Sequence, residues 1–319
     1  MAAPQTILTT VTAVDTLSDE IKAFTLAPVD GELPGFTSGS HVIVQMPDGE
    51  TTHANAYSLV NLPGQNIFCI AVKREPQSRG GSRYMHEQVQ VGSTLAVSPP
   101  ANLFALATCD GPHILIAGGI GITPFMSHIA ALDQAGAAFE LHYSYRDASV
   151  AAYVDVLRQY QGSGRVVLYD NSQGQKLDLP ALMGRLDAHS HVYACGPQVL
   201  MDAVVAEAGK VLPAEHVHLE QFGKQAVKDA HTFTVTLARS GKEVEVGPDE
   251  SILHAIERKA KVKVECLCRE GYCGTCETVL LGGQALHLDQ YLDDTEKAAQ
   301  NKIMICVSRA HQGPLVLDL

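Results

Sequence analysis

The chain has 319 residues, of which 46% are apolar and 18% charged, and its 23 basic and 35 acidic residues give a net charge of −12. That length accommodates two or three domains with sizeable cores. The acidity is spread evenly, about −5 over residues 1–110, −4 over 111–230 and −3 over 231–319; without a basic stripe, neither nucleic acid nor an anionic membrane surface is an expected partner. The N-terminal MAAPQTILTTVTAVD has no basic start followed by a long apolar stretch, and no apolar run reaches 18 residues. Neither a signal peptide nor a membrane span is therefore expected. Five of the eight cysteines fall between residues 266 and 306. Thiols clustered in a large chain predict a metal site in a reducing, cytoplasmic setting rather than a disulfide framework.

Residues 1–107 hold short β-rich runs, TILTTVTAV, IKAFTLAP, SHVIVQM, AYSLV, IFCIAV and TLAVSP, separated by the turns GELPG, PDGE and NLPGQ. Many short strands with no long helix between them predict an antiparallel barrel. Within it, NAYSL (55–59) sets Tyr57 and Ser58 on alternate faces of a strand, a ring that can stack and a hydroxyl that can donate; a strand tyrosine is also ordinary core. SRGGSRYMH (78–86) mixes glycine, serine and arginine, which can cradle a phosphate or simply form a solvated turn.

From residue 108 to 224 the rhythm changes. HILIAG, FELHYSY, VVLYD, HVYACG and HVHLEQF read as strands, PFMSHIAALDQA and PQVLMDAVVAEAGKV as helices. Such alternation predicts an α/β domain with a parallel sheet. AGGIGITP (117–124) is a strand–glycine turn–helix start whose free N–H groups suit a phosphate, although the same turn also serves close helix–sheet packing. Pro124 suits the first helical turn, having no N–H to leave unpaired. YACGP (193–197) ends a strand and opens a helix at the sheet edge where ligands gather, yet a buried Cys195 alone is more often a small hydrophobe. Ser144 and Arg146 follow the second strand, where an adenosine ribose would lie. Glu220, in HLEQF, reads either as a tuning acid near such a ligand or as a surface acid at a strand end.

QAVKDA (225–230) is a polar linker, and residues 231–319 form the last segment. HTFTVTLARSGKEVEV predicts a hairpin around Ser240 and Gly241. In SILHAIERKA, Ile252, Ile256 and Ala260 share one helix face. Short strands are expected around Thr278–Leu281 and Leu315–Leu319. Ahead of them Cys268-x4-Cys273-x2-Cys276, followed after 29 residues by Cys306, is the plant-type 2Fe–2S spacing. Gly271 and Gly274 give the loop the backbone freedom to turn N–H groups toward the sulfurs. Four thiolates also suit zinc, but zinc sites commonly pair two Cys-x2-Cys knuckles and only one is present. Cys266 is one residue too close to Cys268 to join the set and reads as a loop residue packed nearby.

NAYSL and RGGS in a barrel, GGIGITP and CGP in an α/β unit and a plant-type cysteine set, in that order, resemble the phthalate dioxygenase reductase family over essentially the whole chain. The resemblance implies a multidomain protein: a flavin-binding antiparallel β-barrel (1–107), an NAD-binding α/β domain (108–224) and a C-terminal α+β ferredoxin domain of β-grasp type (231–319). It implies an oxidoreductase in which NADH reduces FMN and a 2Fe–2S cluster passes single electrons to a Rieske-type oxygenase on a separate chain. A carnitine-type monooxygenase is the expected partner. Phthalate- or vanillate-type aromatic oxygenases, or service as a stand-alone NADH:flavin oxidoreductase, remain alternatives. Tyr57 and Ser58 would then contact the isoalloxazine, with Val72 and Lys73 alongside, and Gly80, Gly81 and Ser82 would hold the flavin phosphate. Thr123 would sit where flavin and nicotinamide meet, and Phe222 would shield the flavin. Gly118, Gly119, Gly121 and Pro124 would support NADH, with Cys195, Gly196 and Pro197 around its nicotinamide. Cys268, Cys273, Cys276 and Cys306 would ligate the cluster. One position departs: Asn55 stands where the wider family has an arginine, so the flavin phosphate loses a bidentate cation that Arg79 or Arg83 could replace.

Overall fold

A computed structural model of the protein describes residues 6–49, 51–76, 80–161, 165–223 and 230–319. Arg79 and all but Ala230 of the expected linker lie outside the described residues. The chain divides into two compact units, one ending at Phe222 and the other running from Gly223 to Leu319, with the short stretch Ala54–Ala56 of the first part grouped with the latter.

The first unit contains two sheets. Strands β1 (Ile7–Ser18), β2 (Ile21–Pro28), β3 (Ser40–Asp48), β4 (Thr51–Ser58), β5 (Phe68–Lys73), β6 (Thr94–Val97) and β7 (Ala101–Asn102) form one sheet. Its order is β4-β3-β6-β1-β2-β5, with β7 on β3. An antiparallel bridge between Leu59 and Ile70 joins the chain just beyond β4 to β5, linking the two ends of that order. Alternation drives it: Phe24 and Leu26 of β2 are fully buried in one cluster, and Ala23, Thr25 and Ala27 on either side of them lie half-buried. In the stretch read as a phosphate cradle or a solvated turn, Gly81–Glu87 form a short helix, α1. Met85 carries that helix into the barrel core, a tertiary contact that seven residues of mixed polarity do not advertise.

The second sheet is parallel, β8 (His113–Gly118), β9 (Phe139–Tyr145), β10 (Val166–Asp170), β11 (His191–Cys195) and β12 (Val217–Glu220) in the order β10-β9-β8-β11-β12. Helices α2 (Thr123–Ala135), α3 (Val154–Gln161), α4 (Leu179–Met183) and α5 (Gln198–Ala208) connect them. Every residue of β8 is buried. Leu115 and Ala117 join one apolar cluster with α2, and Ile114 and Ile116 join another with α4 and α5. A strand covered on both faces reads as a continuous apolar run, which is how HILIAG reads. Sequence reading missed α3 and α4: α3 buries only Leu157 among its described side chains, and α4 is a five-residue helix.

Histidines are concentrated around this sheet. The His218 ring stacks on Tyr193 at 4.4 Å, and His191 Nδ1 lies 3.0 Å from His218 Nε2. Burial first, and then the neighbouring imidazoles His191, His216 and His113, lower the pKa of His218 to about 4. Burial likewise lowers fully enclosed His128 to about 3 and His41, in the barrel, to about 4.

The second unit is a five-stranded sheet, β13 (Phe233–Leu237), β14 (Lys242–Val246), β15 (Glu277–Leu286), β16 (Lys302–Met304) and β17 (Arg309–Leu317). The order is β14-β13-β17-β15-β16, with β13 and β17 parallel and the other pairs antiparallel. Helix α6 (Ile252–Ala255) starts where the Ser251 hydroxyl accepts the His254 N–H at 3.2 Å, and a wider π turn continues it over Ile256–Ala260. Ile252, Ile256 and Ala260 are all buried, as their spacing predicts. Helix α7 (Asp294–Ala299) opens with a reciprocal cap between Asp293 and Glu296. The buried Arg309 guanidinium donates to the carbonyls of Glu250, Gly247 and His231 at 2.7–2.9 Å, fastening β17 to the hairpin ends.

The imidazoles carry a pH dependence. Above about pH 6.5 they are neutral folded and unfolded. Below it the unfolded chain takes up protons that the folded chain refuses, so stability falls with pH. Each such histidine steepens the fall by up to about 1.4 kcal/mol per pH unit. Chemical unfolding of the wild type and His128→Leu between pH 7 and 5 is expected to show a shallower slope in the variant. Equal slopes would remove His128 from the linkage.

Candidate functional site

The parallel sheet reverses its winding between β8 and β11, which are neighbours. Turns following two such strands diverge to opposite faces and leave a crevice at the carboxyl edge. Here the two turns also touch. A Cβ at Gly121 would lie 2.3 Å from the Cys195 carbonyl oxygen, and one at Gly196 would lie 3.0 Å from the Gly118 backbone. Only glycine permits this backbone-to-backbone approach.

A cleft of about 340 Å³ opens there, lined by Gly118, Gly119, Gly121, Gly196, Pro197 and Ile120 from the two turns. Lys73 and Glu75 reach it from the barrel, Tyr145 and Arg146 from the end of β9, and Phe222 from beyond β12. Phe222 is 41% exposed, an open aromatic face beside a cavity. Glu20 and Val150 complete the lining. Glu20, Glu75, Tyr145 and Val150 carry no sequence signal; each is an ordinary strand-end or loop residue that the fold brings to the cleft. Arg146 pairs with Asp147 at 3.2 Å and with Glu20 at 3.8 Å, and Lys73 with Glu75 at 2.8 Å. The cations of the cleft are thus matched by carboxylates.

A second cleft, about 670 Å³, is lined by Arg74, Glu75, Pro76, Gly80, Arg83 and Asp19 with Glu20. Gly80 lines it just before α1, whose first residues Gly81 and Ser82 are buried, and the Ser82 hydroxyl accepts the Glu75 N–H at 3.1 Å. Arg83 lies 3.9 Å from Asp48 and is well exposed. Asn55 lies on β4, half-buried. Further along β4, Ser58 is buried and its hydroxyl has no hydrogen-bond partner among the described residues. A buried hydroxyl left unpaired is costly, and a ligand atom would satisfy it.

Other expected site residues lie behind the cleft walls. Val72 is fully buried in the barrel core, and Pro124 is buried at the start of α2. Thr123 is buried, its hydroxyl donating to the Ile120 carbonyl at 3.1 Å. Ser144 donates to Asn171 at 3.4 Å. Cys195 is fully enclosed, and burial pushes its thiol well up, with the Glu220 charge adding to the effect. Glu220 is its register partner on β12. Glu220 is buried, so it is not a surface acid; burial raises its pKa to about 8, and its Oε2 has no partner among the described residues. The acid is protonated at neutral pH.

In the second unit the thiols converge. Cys268, Cys276 and Cys306 are buried and Cys273 half-buried. The N–H groups of Glu270 and Tyr272 both donate to Cys268 Sγ at 3.4 Å. Backbone donors aimed at a sulfur fit a thiolate in an anionic cluster. The loop needs its glycines: a Cβ at Gly274 would lie 2.3 Å from the Tyr291 ring, at a φ of 73°. An Arg269–Glu257 pair at 2.9 Å braces the loop. Beneath it, buried Asp289 accepts from the Ser308 hydroxyl at 3.1 Å and the Leu292 N–H at 2.9 Å. Cys266 lies at the same place, its Sγ within 4.8 Å of those of Cys276 and Cys306.

An antiparallel barrel, a parallel α/β sheet with a glycine-walled cleft and a small sheet gathering thiols together define a modular electron-transfer oxidoreductase. Residues 235–311 match the 2Fe-2S iron-sulfur cluster binding domain family. The chain is 48% identical to the carnitine monooxygenase reductase subunit of Escherichia coli (strain K12), over 97% of both chains. It is 43% identical to the heme-dependent oxidative N-demethylase beta subunit of Ectopseudomonas mendocina (strain ymp), again over 97% of both. The solved structure of phthalate dioxygenase reductase, described as a modular structure for electron transfer from pyridine nucleotides to [2Fe-2S], superposes with a TM-score of 0.75 at 36% identity, covering 98% of each chain. The protein belongs to the phthalate dioxygenase reductase family. Among the described residues no helix is long and apolar enough to cross a membrane.

Two outcomes follow from the geometry. Gly121→Ala is expected to lower the unfolding temperature by several degrees, because Cys195 or the turn must shift; Gly35→Ala, with open space around its Cβ, should leave it unchanged. A silent Gly121→Ala would disprove the contact. Glu220 acts on the alkaline side: its folded pKa lies above the unfolded value, so stability is lost as pH rises from about 4.5 toward 8. Glu220→Gln, uncharged at every pH, is expected to be the more stable protein at pH 8 in chemical unfolding. A variant less stable at that pH would mean that Glu220 is ionised and paired.

Proposed function

We propose that this chain is the reductase component of a two-component oxygenase, most simply one of carnitine-monooxygenase type, and that it uses NADH, FMN and a 2Fe–2S cluster. The observation that carries this reading is the 48% identity, from end to end, with a carnitine monooxygenase reductase subunit. A separate oxygenase chain is inferred because that relative is named a subunit. The three sheets support domain limits of 1–107, 108–224 and 231–319. The clustered free cysteines support a reducing compartment, the cytoplasm.

When bound, the flavin takes the two-electron hydride of NADH and passes electrons singly to the cluster, chemistry that belongs to the cofactors. The protein's part is to hold them. On this reading Tyr57 and Ser58 meet the isoalloxazine, and the unpaired Ser58 hydroxyl donates to it. Val72 and Lys73 lie alongside, and Gly80, Gly81 and Ser82 take the phosphate. Arg83, which lines the second cleft, would supply the charge that Asn55 lacks. Gly118, Gly119 and Gly121, with α2 and Pro124 behind them, accept NADH, while Cys195, Gly196 and Pro197 border its nicotinamide. Thr123 stiffens the turn between the two rings, and Phe222 covers the flavin. Buried Glu220, beside Cys195 on the neighbouring strand, adds no charge of its own behind the nicotinamide while it is protonated. Ser144 and Arg146 flank the adenosine ribose. Because Arg146 is already paired with Asp147 and Glu20, a 2′-phosphate would meet carboxylates there, which favours NADH over NADPH. Cys268, Cys273, Cys276 and Cys306 hold the cluster.

The similarity to a heme-dependent N-demethylase subunit favours a second reading, in which the electrons go to a different terminal oxygenase. Reconstitution separates the two. NADH oxidation stimulated at least about tenfold by a carnitine-type oxygenase with carnitine supports the first reading, and stimulation only by an N-demethylase component supports the second. Anaerobic visible absorbance and EPR come before either. NADH is expected to bleach a flavin band and raise a rhombic iron–sulfur signal; bleaching without that signal would reduce the protein to a flavin reductase. Cys273→Ala is expected to abolish cytochrome c reduction while keeping NADH–ferricyanide activity. Loss of both in a folded variant would overturn the order of the relay.

A further inference from the structure

The cysteine spacing uses four thiols, but five converge in the structure. Cys266 Sγ forms, with Cys276 Sγ and Cys306 Sγ, a group whose members all lie within 4.8 Å of one another. Two thiolates on one tetrahedral metal, with bonds of about 2.3 Å, stand about 3.8 Å apart, so Cys266 is within a small movement of a shared iron. Its side-chain hydrogen bonds run to Cys276 and Cys306, whereas the Cys273 thiol bonds to Cys268. Cys306 also bonds to Cys268, so it is the spacing that pairs Cys268 with Cys273, while the three sulfurs that lie mutually within 4.8 Å are those of Cys266, Cys276 and Cys306. Cys268 is held by the N–H groups of Glu270 and Tyr272. Cys266 lies in irregular backbone between the π turn and the loop and is half-buried, so it can move where Cys268 cannot. The other three cysteines belong to the first unit.

We propose that Cys266 is a reserve ligand for the iron held by Cys276 and Cys306, completing the four-thiolate set when either of those is lost. This rests on the cluster-ligand reading above. In the exchange the Cys266 thiol gives its proton to solvent and its sulfur donates an electron pair to the vacated iron position. One thiolate replaces another, so the cluster's charge and oxidation state are unchanged. Cys266 has no such position at the other iron, so the site tolerates ligand loss on one side only.

The test uses the full chain purified anaerobically, with iron and acid-labile sulfide measured per chain and EPR recorded after dithionite reduction. Wild type and Cys266→Ala are expected to hold about two of each. Cys306→Ala should keep at least about half that content with shifted g values, and Cys306→Ala/Cys266→Ala should fall below about a tenth. Cys276→Ala, alone and with Cys266→Ala, repeats the comparison in case one buried position does not tolerate alanine. Cys273→Ala, without a neighbouring spare thiol, should be empty. Single variants at both 276 and 306 that are as empty as their doubles, or doubles as full as the singles, would overturn the proposal while a loaded wild type leaves the four-ligand reading intact. A wild type without iron would overturn both.

Discussion

The backbone contact between the turns after β8 and β11 is the constraint on which the cleft of the α/β domain depends. Two strands that diverge to opposite faces of a sheet leave a crevice, but its width is set by how closely their turns approach. Gly118, Gly121 and Gly196 allow the Cys195 carbonyl and the neighbouring amides to come within van der Waals distance. The floor of the cleft is therefore main chain, which cannot change rotamer and presents N–H groups and carbonyls at fixed positions. The barrel then needs only to bring Lys73 and Glu75, and the segment beyond β12 only Phe222, for the cleft to have walls of three different chemical characters.

Electrostatically the interior behind that floor is silent at neutral pH. Burial holds His41, His128 and His218 unprotonated and Glu220 protonated. Each group resists charging for the same reason, the loss of water without a compensating ion. Charge at the cleft is thereby left to the residues that line it, Lys73 with Glu75 and Arg146 with Glu20. Stability is consequently drawn down on both the acid and the alkaline side, with its maximum between them.

The second unit solves a different problem, placing several thiols in a small volume. It does so by turning the loop inward at Gly271 and Gly274 against Asp289, Val307 and Tyr291. Asp289, itself bonded to Ser308 and Leu292, anchors the segment on which the loop rests. Convergence of this kind is permissive: once the backbone has been folded around four sulfurs, a fifth that happens to lie two residues upstream is brought in as well.

The sequence by itself determined whatever depends on neighbours along the chain. The β-rich runs, the change to alternating strands and helices, the face shared by Ile252, Ile256 and Ala260, the glycine turn that opens α2 and the spacing of Cys268, Cys273 and Cys276 were all legible, because hydrophobic period and turn chemistry act over a few residues. Helices α1 and α4 were not, since each is short and takes its stability from the core it covers rather than from its own pattern. The tertiary structure alone decided that Glu20, Glu75, Tyr145 and Val150 line one cleft with Gly121, that Glu220 is buried rather than exposed, and that Cys266 belongs with Cys276 and Cys306. Those facts concern groups brought together from distant parts of the chain or sealed from water by them. Packing and desolvation act on proximity in space, and no local spacing records it.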